Sequence, residues 1–159
     1  MPSILFVCTG NLHRSPLAAA FLRRLVLEHE LQGWRIESAG TWTVSERPLP
    51  PEALSFAQFH GLDLASHKTR VVKSDLLYDF DLILVMEQGQ KEALQTEFSE
   101  VRDRVHRLSE MLDGASFDIP DPLLFPAKRG RILDDMLSVI ERGWPRIMKL
   151  ALEQTPGQS

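Results

Sequence analysis

The chain has 159 residues, a formal net charge of −4, 43% hydrophobic and 25% charged residues. That length suits one domain with one core, here taken as residues 1–159. The composition excludes a disordered chain, the acidic balance excludes broad electrostatic binding of nucleic acid, and no apolar stretch approaches the ~20 residues that cross a bilayer.

Met1-Pro2-Ser3 runs straight into an apolar segment. With no basic leader and no small-residue cleavage site, a cytoplasmic protein with no membrane partner is expected. Ile4-Leu5-Phe6-Val7 reads as a strand buried on both faces, as in a parallel sheet. Thr9-Gly10-Asn11 breaks it. Ser15-Pro16 opens a helix, with Ser as cap and Pro at the first helical position. Leu17, Phe21, Leu22, Leu25 and Val26 recur at helical spacing down to about Leu31, and Gly33 closes the helix. Trp34 to Ser38 alternates like a strand, and Ala39-Gly40 turns it. Ser45 to Pro51 is a proline-rich loop. A helix follows over about Glu52 to His60. Phe80 to Met86 is the strongest strand signal, followed by a helix from Gly89 to Thr96 and a short strand from Arg104 to Leu108. Phe117 to Pro126 reads as irregular. Arg131 to Glu153 reads as helical, with Pro145 expected to bend or break it.

Strands alternating with helices predict an α/β fold. The expected architecture is a three-layer Rossmann-like sandwich, a four-stranded parallel sheet with helices on both faces. Ligands of such sheets bind beyond the carboxyl ends of the strands. Cys8 stands at such an end, and it is the only cysteine. One cysteine forms no internal disulfide and no zinc-thiolate cluster. It is either a small buried hydrophobe or a reactive thiol.

Its neighbours favour the reactive thiol. Gly10 and Asn11 tolerate positive φ. The loop ends at a helix N-terminus, where backbone N–H groups and the helix dipole favour an anion. Successive loop N–H groups, from Thr9, Gly10, Asn11, Leu12 and His13, can form a nest around it. Arg14 offers a planar fork for two anion oxygens. The same positive field favours the Cys8 thiolate. Ser15 can hydrogen-bond the sulfur and help it leave. The pattern C-x5-R-S, after a buried strand and before a helix, thus predicts thiolate attack on a tetrahedral oxyanion.

Val7-Cys8-Thr9-Gly10-Asn11-Leu12-His13-Arg14-Ser15-Pro16 resembles the phosphate loop of the low-molecular-weight protein tyrosine phosphatases. The segments Glu37–Thr41, Ser66–Arg70, Asp81–Glu87 and Ile119-Pro120-Asp121-Pro122 resemble further family segments in the same order, so the likeness covers nearly the whole chain. It implies a metal- and cofactor-free hydrolysis of phosphate monoesters, above all protein phosphotyrosine. Cys8 would be the nucleophile, Arg14 the phosphate clamp and Asp121 the general acid and base, with Asp118 the competing acid. Asn11 would hold the loop, His67 would bond Asn11 or Ser15, and Ser38 would join that network. Trp42 is a candidate aromatic wall.

Three departures stand out. His13 occupies the place where many members have a second cysteine, so an oxidised Cys8 needs an external thiol or redoxin for rescue. His13 also offers a positive charge at the mouth of the site. Leu123 and Leu124 replace tyrosines expected at the substrate entrance, leaving Tyr78 the only tyrosine. Arsenate reduction by an internal cysteine relay is excluded by counting. A single-cysteine form finished by an external thiol stays open, as does a non-catalytic module that holds a phosphorylated partner, and the substrate itself is a phosphorylated protein or a small phosphate ester.

Overall fold

In the computed structural model, residues 1–157 are described. The strands are β1 (Ser3–Cys8), β2 (Arg35–Gly40), β3 (Leu82–Val85) and β4 (Val105–Arg107). They form one parallel sheet in the order β2-β1-β3-β4. The helices are α1 (Arg14–Glu28), α2 (Pro51–Phe59), α3 (Ser74–Tyr78), α4 (Gln88–Glu97) and α5 (Arg129–Gln154). Every residue of β1 and β3 is buried, as a sheet covered on both faces requires. Ile4, Phe6, Leu82 and Leu84 pack with residues of α1, α2 and α5. Leu5, Val7, Ile83 and Val85 face the other way, toward Leu77 of α3 and Leu94 of α4. Alternate residues of each strand therefore feed two separate apolar layers, and the architecture is the three-layer sandwich read from the sequence. The order reverses between β1 and β3, which opens a crevice at their carboxyl ends.

At the opposite end, Asp81 ties three segments together. Its Oδ2 accepts from Ser3 N and Ser3 Oγ, each at 2.9 Å, and from Thr155 Oγ1 at 3.1 Å. This clip explains why β3 starts at Leu82 and not at Phe80. Phe80 closes the turn after α3 through its N–H to Leu77 O, and Asp81 is engaged with Ser3.

Other element ends moved for local reasons. Helix α1 starts at Arg14, and its N-cap is His13, not Ser15. It ends at Glu28, where Glu30 takes φ +56° and Leu31 N–H returns to Val26 O. That Schellman closure falls on a glutamate three residues before Gly33. Strand β2 runs on through Ala39 and Gly40, because β1 pairs with it as far as Cys8. A Cβ on Gly40 would stand 2.7 Å from Thr9 O, so only glycine lets the two backbones approach. Helix α3 has five residues, too few to show a helical period. Helix α5 continues through Pro145, which is exposed. Buried Ile140 and Gly143 before it, and Ile147, Met148 and Ala151 after it, anchor both halves. Among the described residues, no helix is long and apolar enough to cross a membrane.

Candidate active site

The crevice between β1 and β3 receives two loops. Residues 8–14 leave β1, and Met86-Glu87 leave β3. Residues 118–122 cover them from above. Cys8, Gly10, Leu12, His13, Arg14, Asp121 and Leu123 line the resulting pocket.

Cys8 is 2% exposed, so its sulfur sits at the pocket base. Ser15 Oγ lies 3.0 Å from Cys8 Sγ, and Asn11 N–H donates to the sulfur at 3.3 Å. Asn11 takes φ +56°, the turn that folds the loop back over the thiol. Its amide is fully buried and fixed from both ends. Nδ2 donates to Ser15 Oγ and to Ser38 Oγ, both at 2.9 Å, and Oδ1 accepts from Arg70 N at 3.0 Å. His67 Nε2 lies 3.0 Å from Asn11 O. Because Ser15 Oγ accepts from Asn11, its single hydrogen is left for Cys8 Sγ or for Ala39 O at 3.3 Å. Among the described residues, the N–H groups of Gly10, Leu12 and His13 meet no protein acceptor, so they are available to an anion in the pocket.

Arg14 is 2% exposed, a charge that needs partners. Nη1 donates to Glu87 Oε2 at 2.8 Å and to Ile119 O at 2.7 Å. Both Nη1 hydrogens are thereby satisfied. The Nε and Nη2 edge is the two-pronged edge that matches a tetrahedral anion. Asp121 Oδ2 lies 3.8 Å from Nη2. Glu87 is in turn held by Gln90, whose Nε2 donates to Glu87 Oε2 and to Thr9 Oγ1, each at 3.0 Å.

The two candidate acids separate in space. Asp121 lines the pocket, its other oxygen accepting from Leu123 N at 2.9 Å. Asp118 turns away. Its Oδ1 accepts from Arg107 Nη1 at 2.8 Å and from Gln88 N at 2.9 Å. Burial pushes the Asp118 carboxyl up, but these two bonds and the charges of Arg107 and Arg14 outweigh it and hold the group below the ordinary aspartate range.

His13 differs from the sequence expectation. It is 3% exposed, and its Nε2 stands 3.4 Å from Glu52 Oε1 without a hydrogen bond. Burial lowers its pKa more than Glu52 raises it, and the Arg129 charge lowers it further. The ring is therefore a neutral wall at neutral pH, not a positive charge at the mouth. Trp42 is 84% exposed. Its backbone N–H bonds Thr9 O, which places it beside the loop, but its ring does not line the pocket. Leu123 lines the pocket while staying half exposed, and Leu124 and Phe125 continue an apolar rim. Sequence reading assigned no role to Glu87, Gln90, Arg70 or the Ile119 carbonyl. Glu87 and Gln90 follow closely on the buried strand β3, where ligands gather in α/β sheets, and Arg70 and Ile119 fall within segments that resemble the family.

Residues 3–155 match the family model for low molecular weight phosphotyrosine protein phosphatase. The probable low molecular weight protein-tyrosine-phosphatase EpsP of Ralstonia solanacearum is 38% identical over 93% of this chain and 97% of its own. The YwlE arginine phosphatase structure from Geobacillus stearothermophilus superposes with a TM-score of 0.82 at 29% identity, covering 98% of each chain. The tyrosine phosphatase Wzb from Escherichia coli K30, in complex with sulphate, gives a TM-score of 0.75 at 31% identity, covering 93% of this chain and 96% of its own. With the matched segment running from the first residue of β1 to the Thr155 that closes on Asp81, this chain belongs to the low molecular weight phosphotyrosine protein phosphatase family.

Proposed function

We propose that this chain hydrolyses phosphate monoesters, with protein phosphotyrosine as its substrate class, through a thiophosphate on Cys8. The observation that carries the reading is convergence. The Cys8 sulfur, the free Nε and Nη2 edge of Arg14 and the Asp121 carboxyl meet in one pocket.

The phosphoryl group sits in the nest of loop N–H groups, two of its oxygens on the Arg14 edge. Cys8 Sγ attacks phosphorus in line and the ester bond breaks. Asp121, at the open side, gives its proton to the departing oxygen. The resulting carboxylate then takes a proton from water, which attacks the thiophosphate. Cys8 leaves as thiolate and the Ser15 hydroxyl turns its hydrogen to the sulfur. Asn11 supports this step by occupying the hydroxyl oxygen as acceptor.

The pocket walls include Leu12 and Leu123. They offer apolar surface to the flat face of an aryl ring. A guanidinium leaving group would meet the same two side chains, which offer its N–H groups no hydrogen-bond acceptor. This favours phosphotyrosine over phosphoarginine, the substrate class in the name of the Geobacillus relative.

The test is turnover of a phosphotyrosine peptide, a phosphoarginine peptide and p-nitrophenyl phosphate by wild type and Cys8→Ser. Hydrolysis of the two aryl esters and none by the variant is expected. Equal activity of Cys8→Ser refutes the nucleophile, and a preference for phosphoarginine refutes the substrate class.

A further inference from the structure

We propose that Gln90 is a positioning residue for the anion clamp, holding Arg14 open to phosphate by fixing its counter-ion and the phosphate loop at once. The inference rests on the reading of Arg14 as the clamp.

Gln90 lies in the first turn of α4 and is buried. A primary amide has two acceptor lone pairs and two donors. All four are used. Oε1 accepts from Met86 N and Glu87 N, each at 3.0 Å. Nε2 donates to Thr9 Oγ1 and Glu87 Oε2, each at 3.0 Å. Two backbone N–H groups on one side can meet only the amide oxygen, so the amide has one orientation. One side chain therefore spans the crevice from the β3 end to the loop that leaves β1.

The consequence for Arg14 is geometric. Glu87 is one-third exposed, and a glutamate carboxylate and a guanidinium prefer to pair through two parallel bonds. Such a pair would take Nη2, or the whole Nε edge, out of the pocket. Instead Glu87 contacts Arg14 through Oε2 alone, the oxygen that also accepts from Gln90 Nε2. Gln90 thus limits Glu87 to the Nη1 end. Its second N–H fixes Thr9, the residue between the nucleophile and Gly10. The Gln90 backbone N–H also bonds the Glu87 side chain in a capping box, a bond that any non-proline residue here retains. Only the amide donors depend on glutamine.

Gln90→Glu isolates those donors. It keeps an oxygen for the Met86 and Glu87 N–H groups and sets a carboxylate against Glu87. Gln90→Met keeps the volume but removes all four bonds, the two accepted from Met86 N and Glu87 N included, and serves as a harsher second variant. Competitive inhibition by inorganic phosphate is measured with p-nitrophenyl phosphate as substrate. Either variant is expected to raise the inhibition constant and KM together by about tenfold, as for a misplaced binding group, with a smaller change in kcat. A merely structural role would lower the active fraction and leave the phosphate constant unchanged, and that result overturns the inference. Wild-type protein that neither turns over the aryl ester nor binds phosphate would instead sink the phosphatase reading, and this inference with it.

Discussion

Asn11 offers the sharpest test of how the phosphate loop is held. Asn11→Ala removes three side-chain hydrogen bonds, a buried one to Ser15 and partly buried ones to Ser38 and Arg70. At about 1 kcal/mol net each, that is about 3 kcal/mol. Alanine must also adopt φ +56°, which adds about 1–2 kcal/mol. Asn11→Gly loses the same three bonds without the steric strain. It is instead weakened by about 0.4–1 kcal/mol through the freer unfolded chain. The two variants share the large loss, and alanine is expected to lie below glycine by about 1 kcal/mol. Urea unfolding at neutral pH, with equal slopes, measures both differences. Turnover should fall in both, because Ser15 loses the donor that directs its hydroxyl. Either variant unfolding at the wild-type midpoint would refute the hydrogen-bond account. Alanine above glycine would refute the strain account.

Asp121→Asn is expected to slow an alkyl phosphate much more than p-nitrophenyl phosphate. Equal slowing of both moves the acid elsewhere. Asp118→Asn is expected to weaken the fold and leave the leaving-group dependence intact. Because the folded Asp118 pKa is depressed, its contribution is present above the ordinary aspartate value and lost as pH falls through the folded value, so the urea midpoints of wild type and variant should converge in acid. Burial is the largest cause lowering the pKa of His13, His67 and His106. The unfolded chain therefore binds protons first, and stability is full above the ordinary imidazole value of about 6.5 and drains away as pH falls toward the depressed values. His13→Gln should flatten the change in urea midpoint between about pH 7.5 and about pH 5.5, and an unchanged slope would count against a buried neutral ring. Asp81→Ala leaves Ser3 N without its acceptor and turns the Ser3 and Thr155 hydroxyls to Asp79 O and Ala151 O alone, and a loss of about 1–3 kcal/mol is expected in the same assay.

The segment 4–16 was legible because every signal in it is local. An apolar run, a glycine and an asparagine, an arginine and a capped helix lie within thirteen consecutive residues. The small error there is also instructive. Ser15 reads as a cap, yet its hydroxyl faces Cys8 and Asn11, and the helix starts two residues earlier without a side-chain cap. Glu87 and Gln90 were not legible, because their partners lie 73 and 81 residues away and meet them only through the β1–β3 pairing. His13 was misread for a related reason. Its charge depends on the closing helix α2, where Glu52 sits, and on how deeply the ring is covered. Pro145 was expected to bend or break α5, and the helix runs on through it, because burial on both sides outweighs one missing hydrogen bond at an exposed position.

The lone cysteine gives the protein one chemical address for every sulfhydryl reagent. Alkylation cannot be diluted by bystander thiols, so the fraction of molecules labelled equals the fraction with an open, reduced pocket. A mass spectrum of the intact chain becomes a census of competent sites. Phosphate that occupies the pocket should slow the labelling in proportion to occupancy, which yields an affinity without any turnover. Oxidant damage leaves a mass increment on Cys8 and nowhere else among cysteines, because no neighbouring sulfur exists to conceal it as an internal bridge.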